Sequence, residues 1–304
     1  MKILVTGNNG QLGSELVRAF RGAAEMVTFD RQELDLANAQ QLRSVIREHA
    51  PQVIINAAAY TAVDRAETDE AMARAINAEA PAILAEEARE LGAALIHYST
   101  DYVFDGTKAG PYVEQDMPAP RSVYGRTKLE GEQAIAAVTD QFWIWRTSWV
   151  YGVHGSNFLK TMLRLASEQT NLHVVADQFG APTFARSIAE ATRDALLGHS
   201  EAQAPSRVAE TAGTYHFTGG GRTSWHGYAQ HVIERATAAG WPLKVKAADI
   251  QAIPASTYPL PAPRPSNSSL SLEKFRATFG LAVSAWQDDV DRCLAELFEQ
   301  HDQA

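Results

Sequence analysis

Lys2-Ile3-Leu4-Val5-Thr6-Gly7-Asn8-Asn9-Gly10-Gln11-Leu12-Gly13 decides the fold, together with the apolar positions Leu12, Leu16, Val17, Ala19 and Phe20 that follow it. The order is a short apolar β-type run, a glycine turn, then a helical pattern. Such a turn aims backbone N–H groups and the positive end of a helix at a pyrophosphate. The spacing is G-x-x-G-x-x-G, not the commoner G-x-G-x-x-G, and the glycines taken alone also fit a tight structural turn. Their position between strand and helix favours a dinucleotide, which makes Gly7, Gly10 and Gly13 candidate cofactor residues. No G-x-x-x-x-G-K-[ST] segment is present, which disfavours an ATP P-loop.

The chain has 304 residues, enough for one large α/β domain with a smaller partner lobe. Its formal net charge is −9 and no basic run exceeds a pair, so nucleic acid is not an expected partner. Cys293 is the single cysteine, which rules out an internal disulfide and every cysteine-based zinc motif and fits a cytoplasmic location. The apolar run before Gly7 is too short for a signal peptide, and no window approaches the roughly eighteen apolar residues of a membrane span. No membrane partner is therefore expected.

A second strand, Met26 to Phe29, ends in Asp30-Arg31. A carboxylate at this place accepts hydrogen bonds from the adenine ribose and favours NAD, whereas an adjacent arginine pairs with a 2′-phosphate and favours NADP. Both signals are present, so either cofactor is expected to be tolerated. Val53 to Ala59 forms another strand running into small residues, with Ala59, Tyr60 and Thr61 as loop contacts. Asn77 either caps a helix or anchors an active-site water chain, and the cap is favoured.

Leu95 to Tyr98 forms a buried strand that places Thr100 at its carboxyl end, where open α/β sheets bind ligands. Tyr124 and Lys128, four residues apart on a helical pattern, share one helix face. An ammonium beside a phenol is expected to lower the phenol's pKa. The pair then makes a proton donor for a carbonyl oxygen receiving hydride. Trp149, near the end of the strand that starts at Phe142, is the expected wall for the substrate.

Beyond residue 150 the regular βα alternation breaks. Residues 1–150 are therefore expected to form the dinucleotide-binding domain, rejoined by elements from about 168–198 and 213–222, and 151–304 mainly a substrate-binding lobe. The expected class is α/β, a Rossmann-type doubly wound parallel sheet with a smaller C-terminal lobe. Glu201 to Gly213 is expected to be a surface loop, Val245 to Ile253 an extended segment, and Leu270–Phe279 and Trp286–Phe298 terminal helices.

Gly7-x-x-Gly10-x-x-Gly13, Asn56-Ala57-Ala58-Ala59, Tyr98 to Phe104, Tyr124-x-x-x-Lys128, Arg146 to Tyr151 and Gln178 to Thr183 together resemble the extended short-chain dehydrogenases/reductases. The likeness runs from residue 1 to the Arg264-Pro265-Ser266-Asn267-Ser268 stretch. More narrowly it is to members that reduce the C4 ketone of dTDP-4-dehydro-L-rhamnose with NADPH or NADH. The resemblance implies that Thr100 binds the ketone oxygen, Tyr124 donates the proton, and Lys128 holds the nicotinamide ribose. It adds Gly10, Gln11, Leu12, Asp30, Asp35, Leu36 and Ala59 to Thr61 as cofactor contacts, and Thr100, Asp101 and Trp149 as contacts to the sugar nucleotide. Some relatives hold Mg2+ with glutamates at a dimer interface. Glu15 and Glu296 stand where such ligands would be, but Arg186 stands near the place of another acid, so a monomer or a homodimer is expected and metal binding is disfavoured.

Sugar-nucleotide dehydratases carry an acid pair after the threonine, whereas here Asp101 is followed by Tyr102. Epimerases keep the tyrosine and lysine but retain their NAD through the cycle. A non-catalytic relative, the regulatory subunit of methionine adenosyltransferase, uses the same fold to bind. An intact Thr100, Tyr124 and Lys128 favours catalysis.

Overall fold

The computed structural model describes residues 1–198 and 204–302. Lys2–Thr6 (β1), Gln11–Ala19 (α1), Glu25–Phe29 (β2), Ala39–His49 (α2), Val53–Asn56 (β3), Ala94–Thr100 (β4) and Phe142–Thr147 (β5) build the sheet and part of its cover. Gly213–His216 adds the sixth strand, and the order across the sheet is Gly213–His216, β5, β4, β3, β1, β2, all parallel. The order reverses between β1 and β3, so the crossovers leave that point in opposite directions and open a crevice at the carboxyl ends.

Alternation along each strand divides the core in two. Ile3, Val5, Ile55, Ile96, Trp143 and Trp145 face α1 and the helix Ala185–Leu197. Leu4, Ile54, Leu95 and Ile144 face α2 and the helix Ala80–Leu91. Covered on both sides, β3 and β4 are buried along their whole length, as near-continuous apolar runs of a parallel sheet should be.

A second cluster gathers Tyr151, Phe184, Tyr228 and Leu294 among the helices Phe158–Glu168, Trp225–Ala238 and Trp286–Asp302. His173–Val175 pairs with Gln251–Ile253 there. Of the segments expected to rejoin the sheet, Ala185–Leu197 and Gly213–His216 pack on or in it. The helix Glu273–Phe279 also packs there, with Phe275 and Phe279 edge-on to Trp145 and Trp143.

The expected loop 201–213 is different in the structure. Residues 201–203 lie outside the described residues, and Ala204–Glu210 is a helix that buries Ala204 and Val208. Pro205 disguises it, although a proline in the first helical turn forfeits no hydrogen bond. Among the described residues no helix is long and apolar enough to cross a membrane.

Candidate active site

A cleft of about 620 Å³ opens at the carboxyl ends of β1, β3, β4 and β5. Gly7, Gly10, Gln11 and Leu12 line it from the glycine turn, Asp30, Arg31, Asp35 and Leu36 from beyond β2, and Ala59, Tyr60 and Thr61 from beyond β3. Gly7 has φ +74°, and a Cβ on it would meet Ala58 at 3.0 Å. Gly13 stands behind the turn, where a Cβ would fall 2.0 Å from the Gly7 carbonyl oxygen. Its contribution is close packing of helix on turn, while Gly7 and Gly10 shape the surface a pyrophosphate would meet. The cradle fits a dinucleotide.

Asp30 also braces its own loop, its carboxylate accepting from Gln32 N at 2.7 Å, Glu33 N at 3.0 Å and Asn9 Nδ2 at 2.7 Å. Arg31 is exposed on the cleft rim. Tyr60 is held from behind by Asn77, whose Oδ1 accepts from Tyr60 N at 2.8 Å and whose Nδ2 donates to Tyr60 O at 3.1 Å. Asn77 caps no helix. It lies inside the π-helical turn Ala75–Glu79, an irregularity that often marks functional sites.

Thr100 ends β4, and Tyr124 is the second residue of the helix Val123–Val138, whose first turn is capped by Ser122 Oγ accepting from Gly125 N at 3.1 Å. The Thr100 hydroxyl donates to Asp101 Oδ1 and accepts from Tyr102 N, each at 3.1 Å, and it also touches the Tyr124 phenol. Tyr124 and Lys128 both line the cleft.

The expected coupling between these two side chains is not what the structure shows. Lys128 Nζ donates to Tyr98 O at 2.7 Å and lies 3.0 Å from His97 Nε2. Burial pushes the Tyr124 phenol up to about 12, against a smaller downward pull from the Thr100 hydrogen bond. Burial likewise pushes Lys128 down to about 8, with Glu132 opposing. Four-residue spacing sets both side chains on one face, but the ammonium is turned towards β4. The phenol therefore keeps its proton at neutral pH and remains a donor.

Asp101 is buried and pushed up to about 6 by that burial, while hydrogen bonds with Ser268 and Thr100 pull the other way. Trp149 stacks on Trp225 with ring centroids 3.7 Å apart. Its φ of 50° is unusual for so large a side chain. Thr100, Asp101 and Trp149 stand outside the cleft lining. Gly180 links the last two, because a Cβ there would fall 2.8 Å from Trp149 Cε2 and 3.1 Å from Ser268 Cβ. The lining also includes Leu34, Arg65, Ile76 and Thr147, which sequence reasoning missed. Thr147 ends β5 and was findable by position, whereas nothing in the sequence marked Arg65.

The acids expected near a metal are occupied otherwise. Arg186 Nε and Nη2 donate to the two carboxylate oxygens of Glu15 at 3.0 and 3.1 Å, and Arg186 also pairs with Glu296. Among the described residues no three histidine, cysteine, aspartate or glutamate side chains are grouped as a metal site. Arg186, with Arg18 also paired to Glu15, already occupies these acids, so the residues do not fit Mg2+ here.

Residues 1–299 match the model of the family described as RmlD substrate binding domain. A dTDP-4-dehydrorhamnose reductase of Burkholderia thailandensis is 46% identical over 302 residues, covering 99% of this chain and 100% of that protein. The crystal structure of a dTDP-4-dehydrorhamnose reductase from Clostridium acetobutylicum matches with a TM-score of 0.87 at 36% identity, covering 98% of this chain and 100% of that one. A dTDP-4-dehydrorhamnose reductase from Bacillus anthracis, solved in complex with NADP, matches with a TM-score of 0.86 at 32% identity over 97% and 99% of the two chains.

Proposed function

The chain belongs to the RmlD substrate binding domain family, and from that premise we propose that it reduces the C4 ketone of dTDP-4-dehydro-L-rhamnose to dTDP-L-rhamnose with NAD(P)H. This is the last step of dTDP-rhamnose synthesis. One observation carries the chemistry: Tyr124 and Lys128 line the same cleft as the glycine turn, and Thr100 touches the phenol.

A dinucleotide held by Gly7, Gly10 and the residues beyond β2 and β3 would, in its reduced form, supply the hydride for the ketone carbon. Tyr124 gives its phenolic proton to the ketone oxygen. A phenol is a stronger acid than a secondary alcohol, so this transfer runs downhill even with the phenol held at about 12. Thr100 hydrogen-bonds the same oxygen and fixes its direction. Lys128 holds the nicotinamide ribose from the same helix face. Asp101 and Trp149 hold the sugar nucleotide on the side away from the glycine turn. Residues 1–150 supply most of the cofactor surface, and the later half supplies much of the substrate surface.

The test is a coupled assay starting from dTDP-glucose and the upstream enzymes, run separately with NADH and NADPH. Stoichiometric oxidation of the reduced cofactor with formation of dTDP-L-rhamnose is expected. Turnover without net consumption would make the protein an epimerase, and binding without oxidation would make it a scaffold.

A further inference from the structure

Thr6, Asn56 and His97 are lateral partners on adjacent parallel strands, Thr6 opposite Asn56 and Asn56 opposite His97. They form one row across the sheet, pointing to the face covered by the helix Val123–Val138, and each is 1% exposed. Thr6 Oγ1 and Asn56 Oδ1 are 2.7 Å apart, Asn56 Nδ2 and His97 Nδ1 3.0 Å, and His97 Nε2 and Lys128 Nζ 3.0 Å. The row is thus continuous from the end of β1 to the lysine of the cleft. The mechanism has so far used only its last member.

Proton counting gives the row a direction. An ammonium has donors only, so His97 Nε2 must accept from a charged Lys128 and the imidazole proton must sit on Nδ1. That proton needs an acceptor, which is the Asn56 oxygen. The amide nitrogen then donates to Thr6 Oγ1, with the amide turned over relative to its drawn orientation, an assignment decided by hydrogen bonding alone. When Lys128 is neutral the polarity reverses: His97 Nε2–H donates to the amine, Asn56 Nδ2 donates to Nδ1, and Thr6 donates to Asn56 Oδ1.

We propose that His97 is a positioning residue for Lys128, a neutral imidazole acceptor whose tautomer is set by Asn56 and Thr6 and follows the charge of the lysine. Two otherwise costly features are accounted for together. A buried ammonium needs acceptors, and the Tyr98 carbonyl supplies one while His97 supplies another. A histidine buried against a cation must stay neutral, and burial followed by the charge of Lys128 does hold His97 well below its usual range. The other titratable groups around the ammonium are Tyr98 from β4 and Tyr124 and Glu132 from its own helix. Glu132 is paired at its far side with Arg146 of β5. His97 alone among them meets Nζ through a ring nitrogen whose proton can move.

The proposal rests on the proposed role of Lys128, but its first test does not involve turnover. In 15N-histidine-labelled protein, His97 is expected to be neutral with its proton on Nδ1 at about pH 6.5, its signal assigned by loss in His97→Gln. The proton is expected to move to Nε2 as the lysine titrates. A doubly protonated ring, or an Nε2 proton at about pH 6.5, would overturn the proposal while leaving ketone reduction intact. The second test is kinetic. His97→Leu should move the alkaline limb of kcat/KM down by about one pH unit and lower kcat/KM about 10- to 100-fold near neutrality. His97→Gln, which retains an acceptor, should keep the limb near its original place. Equal pH profiles for the native and leucine proteins would sink the positioning role. If His97→Leu does not fold, the tautomer measurement on the native protein decides alone.

Discussion

Thr100 and Tyr124, 24 positions apart in the chain, meet hydroxyl to phenol where the last residue of β4 faces the first turn of the helix Val123–Val138. The phenol is half-buried on the cleft wall and protonated, and the Thr100 hydroxyl that touches it can share one ketone oxygen with it. Tyr124→Phe should therefore cut kcat by about 10² to 10⁴, through loss of the acid, with NADPH affinity little changed. Lys128→Ala should weaken both turnover and cofactor binding. Stopped-flow reduction together with fluorescence titration of the cofactor separates the two cases. Near-native turnover in Tyr124→Phe would remove the tyrosine from the mechanism.

The pH dependence follows from the two perturbed groups. Lys128 is pushed down to about 8 and Tyr124 up to about 12. If the lysine must be charged, kcat/KM falls as pH rises through about 8, while the phenol is still fully protonated. The alkaline limb of the profile thus belongs to lysine. An alkaline limb that survived unchanged in Lys128→Arg would contradict this assignment.

Asp101 links site and stability. Its folded value of about 6 lies above the roughly 3.9 of an unfolded aspartate. The stabilisation tied to its bound proton is complete below about pH 4 and is lost as pH rises through about 6. Asp101→Asn should therefore be more stable than the native chain by about 1–3 kcal/mol above about pH 7 and should flatten the pH dependence between those limits. Urea unfolding across that range measures it. Destabilisation of the asparagine variant above pH 7 would show that the ionised carboxylate is itself well satisfied.

Arg31 stands exposed on the rim of the cleft beside Asp30. Arg31→Ala should lower kcat/KM for NADPH about tenfold and leave NADH nearly unaffected, because only the former carries a 2′-phosphate. Equal losses for the two cofactors would mean that the arginine supports the loop and not the phosphate.

The Arg186 cluster predicts indifference to metal. EDTA should change neither turnover nor melting temperature, and sedimentation should be the same with and without Mg2+. Arg186→Ala should destabilise the chain by about 3 kcal/mol, since Glu15 is 1% exposed and, among the described residues, would keep as a salt-bridge partner the half-exposed Arg18 alone. A chelator-sensitive oligomer would refute this account of the cluster.

The strand, glycine turn and helix at residues 2–20 were legible because each obeys a local rule: β-type apolar residues, a turn only glycine fits, a period near 3.6. The Tyr124 and Lys128 pair was legible for the same reason. Which way Lys128 turns was not, because it depends on His97 and the Tyr98 carbonyl, about thirty residues back and on another strand. Asn77 was mistaken for a cap because a π turn leaves no sequence signature. Arg65 and Ile76 reach the cleft through tertiary packing alone. The helix Ala204–Glu210 was missed because alanine, proline and serine look like a loop until their burial is known.

Trp143 and Trp145 of β5 are covered by Tyr215 and Phe217 from around the sixth strand and by Phe275 and Phe279 still later in the chain. During synthesis the ribosome must therefore deliver some 130 further residues before those indoles are fully shielded. A fragment ending at residue 150 would leave them without that part of their cover, and expressing the first half alone is a recipe for inclusion bodies.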